Sequence, residues 1–280
     1  MRTHPPTLIT IVRRALRDLG LSRDARVLVA VSGGQDSMAL LHVLGGLRAR
    51  GGPAVVGHGV DHGLRPEAAE ELELARSLAC ALDVRFDTTR VEVARGPNLQ
   101  ARARAARYAA LRTAARTEGA TCIATAHHAD DRAETVLLRV LSGAGARGLG
   151  VLPPRAGDLV RPMIRATRTD VLAHISRHGL AHADDPSNDD TRFTRVRVRR
   201  DLLPVLRALD PRVVEHLCQI ADDLAGAPRD PIFSLPRPVE EALGALALSR
   251  DPRARVSLPG GLVAMADATH HRGRHAKCKV

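Results

Sequence analysis

Val27-Leu28-Val29-Ala30-Val31-Ser32-Gly33-Gly34-Gln35-Asp36-Ser37 decides how this chain is read. The apolar run makes a buried strand, two glycines turn the chain, and an apolar helix is expected from Met38 to Leu47. Such a strand–turn–helix offers backbone N–H groups and a helix N-terminus to an anion. The hydroxyls of Ser32 and Ser37 add donors, and the Asp36 carboxylate adds a place for a metal ion. The combination suggests a nucleoside triphosphate site. G-x-x-x-x-G-K-[ST] does not occur in the chain, which excludes a Walker-type loop.

Outward from this turn, short apolar runs alternate with helical stripes. Strands are expected at Val27–Val31, Ala54–Val60, Val84–Val91 and Cys122–Ala126, with a short edge strand at Leu159–Ile164. Helices are expected at Thr7–Leu19, Glu67–Leu82, Asn98–Glu118 with Asn98 as N-cap, and Asp131–Leu141. Further helices are expected at Thr169–His178, capped by Thr169 or Asp170, at Arg195–Leu209 and at Arg212–Leu224. The alternation implies an α/β fold, a doubly wound parallel sheet covered on both faces. Ligands of such sheets sit at the strand C-terminal ends, so the glycine turn and His127-His128 are expected to share a crevice. A catalytic domain at 1–205 and a small, mainly helical C-terminal domain at 206–280 are expected. Gly226–Pro238 reads as a linker, Val256–Leu262 as a hairpin strand and His270–His275 as an unstructured basic tail.

The net charge is +11, and nearly all the positive charge is arginine; only Lys277 and Lys279 are lysines. Arginine forks suit phosphates and stack on bases, so a polyanionic partner is expected. Phe86, Tyr108, Phe193 and Phe233 are the only aromatic residues, and the core must be aliphatic. Single-stranded RNA would then be read through arginine stacking more than aromatic stacking. Cys80, Cys122, Cys218 and Cys278 are widely spaced without C-x-x-C, which argues against a disulfide framework, a zinc ribbon or an iron–sulfur site. Cys80 falls inside a helix and Cys122 inside a strand, and neither is expected to be exposed. No 18-residue apolar run suggests a membrane span, and Arg13, Arg14 and Arg17 interrupt any signal-peptide core. The cytoplasm is the simplest compartment, and a homodimer stays open.

A second constellation is His127-His128-Ala129-Asp130-Asp131-Arg132-Ala133-Glu134. Positions 127, 131 and 134 share one helical face, where a histidine and two carboxylates bind a metal, hold a cationic substrate or exchange protons. Plain capping by Asp130 and Asp131 is the competing reading. Arg102, Arg104, Arg107, Arg112 and Arg116 cover one helix; Arg192, Arg195, Arg197, Arg199 and Arg200 form a second basic cluster. Two basic segments beside a nucleotide site point to an RNA substrate.

These blocks together resemble the tRNA(Ile)-lysidine synthase family of N-type ATP pyrophosphatases. The resemblance runs from about Val27 to about Pro204. It is carried by Ser32–Ser37, Val60-Asp61-His62-Gly63-Leu64-Arg65, Asn98–Tyr108, Ala126–Arg139, Arg147-Gly148-Leu149, Arg161-Pro162-Met163 and Asp185-Pro186-Ser187-Asn188-Asp189. It implies the adenine-nucleotide alpha-hydrolase-like, PP-loop form of the fold. It also implies a ligase reaction. ATP adenylates C2 of the wobble cytidine in a CAU anticodon, pyrophosphate leaves, and the amine of L-lysine displaces AMP to give lysidine.

Carried over by position, Ser32, Gly33, Gly34, Gln35, Asp36 and Ser37 bind ATP, with Asp36 on Mg²⁺. His127 lies near the phosphates or the cytosine; Asp131 and Glu134 take the lysine ammonium, Asp131 being the preferred base. Arg107 and an arginine of the 195–199 cluster, Arg197, contact the activated nucleotide or the anticodon, and Arg102, Arg104, Arg195 and Arg199 the RNA. One departure stands out. Arg195-Val196-Arg197-Val198-Arg199 carries Val196 where the family usually has asparagine. The rival readings are a PP-loop tRNA thiolase, which generally needs catalytic cysteines, and a noncatalytic ATP-responsive RNA-binding protein.

Overall fold

The computed structural model describes residues 6–61, 63, 68–93, 96, 98–183 and 190–225, and in the C-terminal segment 242, 245–246, 251, 255–257 and 263–265. Its first compact unit is Met1–Ala225. There the chain runs α1 (Leu8–Asp18), β1 (Arg26–Val31), α2 (Gln35–Arg48), β2 (Ala54–Asp61), α3 (Ala68–Ala81), β3 (Arg85–Arg90), α4 (Leu99–Thr117), β4 (Cys122–Ala124) and α5 (Ala129–Leu141). It continues through β5 (Arg155–Ala156), β6 (Leu159–Val160), α6 (Arg168–His178), α7 (Thr194–Arg197), α8 (Leu203–Leu209) and α9 (Val213–Ala225).

The sheet order is β3-β2-β1-β4-β6-β5. All pairings are parallel except β5 with β6. The expected edge strand is therefore interior: β6 pairs with β4 on one side and β5 on the other. It stops at Val160 because Pro162 cannot donate to a ladder. Strand β1 is apolar throughout its buried length because both of its faces are covered. On one face Met38, Leu41 and Leu44 of α2 pack with Val12 and Leu16 of α1 and Val171 and Ile175 of α6. On the other, Tyr108, Leu111 and Ala115 of α4 cover Leu28, Val56 and Ile123.

After β1 the chain builds outward through β2 and β3, then returns to lay β4 on β1's other side. The strand order thus reverses between β1 and β4. Loops leaving their C-terminal ends diverge there and open a crevice. The loops concerned are Ser32–Gly34 and Thr125–His128.

Several element ends differ from expectation. Helix α2 starts at Gln35, because Gly34 already has extended N-cap geometry. Asn98 sits before α4 in the left-handed region and makes no side-chain cap bond. Helix α6 is capped by Thr167, whose hydroxyl accepts from the Asp170 N–H while Asp170 accepts from the Thr167 N–H. The long helix expected at Arg195–Leu209 is broken by a π-helical turn, Val198–Leu202, ahead of Pro204. Helix α9 packs Val214 and Cys218 against Ala129 and Ala133 of α5. That contact carries the first unit to Ala225 and takes in residues expected in a second domain from 206.

The second unit is Gly226–Val280. Within it β7 (Arg255–Ser257) and β8 (Val263–Met265) form an antiparallel pair, two strands in place of the one expected. The linker Gly226–Pro238, the tail His270–His275, Phe233, Lys277, Cys278 and Lys279 lie outside the described residues. So do residues 62, 64–65 and 185–189 of the motifs quoted above. Among the described residues no helix is long and apolar enough to cross a membrane.

Candidate active site

The glycine turn is held by its own side chains. The Ser37 hydroxyl accepts from the Ser32 N–H at 3.1 Å and donates to the Gly34 carbonyl at 2.9 Å. Gly33 has φ +83°, and a Cβ there would lie 2.4 Å from the Glu71 carbonyl oxygen, so glycine is required on two counts. The Gly33 carbonyl accepts from the Ala183 N–H, which ties the turn to the segment after α6. Asp36 occupies the first turn of α2. Its Oδ1 is buried and has no hydrogen-bond partner. Its Oδ2 lies 3.7 Å from Nε2 of His128. Burial, the largest influence, raises the Asp36 pKa; His128 opposes it, Asp131 reinforces it, and Arg168 and Arg199 oppose it further.

The start of α5 faces this turn. His128 is the N-cap; its Nδ1 accepts from the Asp131 N–H at 3.4 Å, and Asp131 Oδ2 accepts from the His128 N–H at 3.1 Å. The capping reading is realised in this way, with histidine as the cap. His127 lies ahead of the helix, so it reaches Asp131 through the loop and not through a shared helical face. Its Nδ1 is 2.9 Å from the Thr125 hydroxyl. Burial lowers the His127 pKa to about 4 against the pull of Asp131, and Arg161, Arg104 and Arg107 push it the same way, leaving a neutral imidazole. For Asp131 burial works upward. It is overcome by His128, Arg195, His127 and the His128 N–H, so the carboxyl stays below its ordinary range.

Glu134, expected to take the lysine ammonium, is placed differently. It is 1% exposed, and both its oxygens are engaged: Arg195 Nε at 2.9 Å, and Arg199 through Nε at 2.6 Å and Nη2 at 3.0 Å. Arg195 also reaches Asp131 Oδ1 at 3.3 Å. Arg195 and Arg199, expected on RNA, are thus turned inward to α5 in this arrangement. The reason is geometric. The turn from α7 into the π-helical segment aims residues 195 and 199 at one carboxylate while Val196 and Val198 are buried. An apolar side chain at 196 suits that buried position. Arg197 is exposed and points away from this pairing.

Arg107 lines the cleft over the Tyr108 ring at 5.4 Å, and its Nε is buried without a hydrogen-bond partner. Arg102 and Arg104 are exposed on α4, and Arg104 donates to the Tyr108 hydroxyl at 3.3 Å. Asp130 lies on the far side of α5's start: Oδ2 accepts from the Arg168 N–H at 2.8 Å, and Oδ1 pairs with Arg207.

Two clefts flank the sheet. The smaller, about 640 Å³, lies at the strand C-terminal ends and holds Ser32, Gly34, Asp36, Arg107, His127 and Asp131. The larger, about 750 Å³, lies at the opposite ends, and its basic groups are already engaged: Arg48 with Asp83, and Arg85 with Glu118. Volume alone would choose the larger; open polar atoms choose the smaller. Cys80 lines the larger cleft and is exposed, contrary to expectation, while Cys122 is buried as expected. Sequence reasoning missed Thr125, which orients His127, and Arg168, whose N–H holds Asp130. Only Thr125 had a local signal, its place at the end of β4.

Residues 8–206 match the family model described as the PP-loop domain, and this defines the class. The chain is 41% identical over 198 residues to a tRNA(Ile)-lysidine synthase of Novosphingobium aromaticivorans, covering 68% of this chain and 60% of that one. It is 38% identical to one of Pseudomonas syringae pv. tomato, with 81% and 52% covered. The Thermobifida fusca protein of the same name is 42% identical, with 78% and 68% covered. The chain belongs to the tRNA(Ile)-lysidine synthase family. Among solved structures it is similar in fold to the U34-tRNA thiolase NcsA of Methanococcus maripaludis, at a TM-score of 0.67 and 16% identity over 79% of this chain and 80% of that one.

Proposed function

We propose that this chain ligates L-lysine to C2 of the wobble cytidine in a CAU-anticodon tRNA(Ile), consuming ATP and working in the cytoplasm. One observation carries the reading. A phosphate-binding turn with an open carboxylate, Asp36, and a charged carboxylate held ready, Asp131, line one cleft at the sheet's switch point.

In the first step the cytidine O2 attacks the α-phosphorus. The bond to the β-phosphate bridging oxygen breaks, and its electron pair leaves with pyrophosphate. Ser32, Gly34 and the N-terminus of α2 surround that leaving group. A magnesium ion fits Asp36, because Oδ1 is buried and unpartnered. One carboxylate suffices where phosphates supply the remaining ligands; no group of three ligating side chains converges among the described residues. Such an ion, when bound, offsets charge on the departing pyrophosphate.

In the second step the lysine Nζ attacks C2, a C–N bond forms, the C–O bond breaks and AMP leaves. Asp131, held below the ordinary carboxylate range, is a poor base toward a free ammonium. Its role is to hold the ammonium, which gives one proton to solvent before Nζ can attack, and then to accept the second proton as the new C–N bond makes the nitrogen acidic. Glu134 acts behind it, fixing Arg195 and Arg199. His127 supplies a neutral hydrogen-bonding edge and no charge.

Incubation with ATP, labelled lysine and an unmodified CAU transcript tests the reading. Label is expected in the RNA, with AMP and pyrophosphate released. ATP and RNA bound without product would leave a noncatalytic binding protein. Modification supported by a sulfur donor would point to a thiolase. The described cysteines offer that chemistry little: Cys80 is exposed but lines the opposite cleft, Cys122 and Cys218 are buried, and burial pushes the Cys218 thiol up to about 11.

A further inference from the structure

Just past the end of β4, two side chains meet in the wall of the cleft. Thr125 and His127 both line the space that also holds Ser32, Gly34, Asp36 and Asp131. The Thr125 hydroxyl lies 2.9 Å from His127 Nδ1. Its stem is fixed from the sheet: the Thr125 N–H donates to the Val160 carbonyl of β6 at 3.0 Å, and the residue is 4% exposed.

Where the proton sits follows from what each group can give. A threonine hydroxyl has one O–H to donate and lone pairs to spare. Among the described residues His127 Nδ1 is the only hydrogen-bond partner of this hydroxyl. Were Nδ1 protonated, the hydroxyl could only accept, and its own O–H would face no protein acceptor. A buried donor without a partner is rarer and costlier than an unused lone pair. The hydroxyl therefore donates and Nδ1 accepts. His127 is a neutral imidazole, so its one ring proton sits on Nε2. That nitrogen joins no hydrogen bond or ion pair with a described residue, Asp131 included. An unused N–H donor thus stands on the cleft wall.

We propose that Thr125 is a positioning residue: it fixes the Nε2–H tautomer of His127, which makes that histidine a hydrogen-bond donor to a phosphoryl oxygen of bound ATP and removes it as a base. The inference rests on reading the cleft as an ATP site, and charge chooses among the reactants there. The lysine ammonium offers only donors of its own and does not pair with an N–H. The cytidine O2 must keep its lone pair for the α-phosphorus. The phosphoryl oxygens gain charge as pyrophosphate departs, and a fixed neutral donor stabilises them with no proton transferred.

NMR of the full chain carrying heavy-nitrogen histidine tests it, with His127→Gln identifying the signal. The parent is expected to show a bare Nδ1 and a protonated Nε2. Magnesium with ATP should move the Nε2 signal, and lysine alone should not. Thr125→Val should mix the two tautomers and slow pyrophosphate release from ATP and a CAU transcript about tenfold, the worth of one hydrogen bond. Thr125→Ser keeps the hydroxyl and should recover both. The parent spectrum decides the tautomer whether or not Thr125→Val folds. A protonated Nδ1 in the parent, a parent-like tautomer in Thr125→Val, or mixed tautomers with an undiminished rate would each overturn the proposal. ATP that binds, by calorimetry, without moving Nε2 would overturn it and leave the ATP reading standing; ATP that does not bind would remove both. Pyrophosphate release that depends on Thr125, with no lysine entering the RNA, would sink the ligase reading alone.

Discussion

Five consecutive residues at the start of α5 build two regions of opposite character. Asp130, Arg132 and Glu134 are buried and matched: to Arg207 and the Arg168 N–H, to Asp222, and to Arg195 with Arg199. Asp131, between them, faces the cleft together with Asp36, one of whose oxygens has no partner. Both regions keep charge from water. In the first, each charge is cancelled and the helices lock together. In the second, charge is held with a coordination position still open. Burial by itself therefore does not mark function here, nor does any unpartnered atom, since Arg132 Nη2 is unpartnered too; an unpartnered carboxylate oxygen on a residue that lines the cleft does.

The largest effect should come from breaking the matched side. Arg132 is 0% exposed, and Asp222 pairs with it at 2.6 Å. Asp222→Ala should cost about 3–5 kcal/mol of stability, read as a lowered urea midpoint, because a buried guanidinium is left unmatched. The open side should respond in the opposite sense. Asp131→Asn should reduce lysine incorporation ~10²–10⁴-fold while costing only about 1 kcal/mol of stability, the loss of a cap partner. Full incorporation by that variant would remove Asp131 from the second step. A third substitution probes the turn. Gly33→Ala should destabilise by about 1–3 kcal/mol and weaken ATP binding more than AMP binding, through the left-handed φ and the Glu71 carbonyl.

The smallest effect should be one of pH, far from the cleft. His42 and His174 share a hydrogen bond at 3.0 Å between α2 and α6, with His178 stacked on both. Burial, with His42 and His178 adding to it, lowers His174 from 6.5 to about 4; burial and His178 lower His42. The folded state thus resists protonation that the unfolded chain accepts. Stability from this pair should be complete above pH 6.5 and decline as pH falls toward 4. A urea midpoint that does not move between pH 7 and pH 5, or a slope unaltered by His174→Gln, would contradict it.

Much of the fold was legible because strand and helix periods are local. Val27–Val31 and the glycines after it announced β1 and its turn, and the run Asn98–Glu118 announced a long helix. The breaks were less legible. The π-helical turn at Val198–Leu202 comes from Pro204 and from the demand that Arg195 and Arg199 meet one carboxylate, a demand no local pattern expresses. The His127–Asp131–Glu134 triplet looked like one face because spacing was the only guide. The helix begins at Ala129, so His127 reaches the cleft by the loop and Glu134 turns inward.

The sequence by itself determined the parallel α/β architecture, the glycine turn at Ser32–Ser37 and the polar motif that shares its crevice. Hydrophobic period, glycine placement and side-chain chemistry act over a few residues and need no partner. Only the tertiary structure decided which carboxylates are open and which are spent. Arg195, Arg199, Arg207 and Asp222 arrive from elements far along the chain, and their arrival neutralises Asp130, Arg132 and Glu134 while leaving an oxygen of Asp36 unanswered.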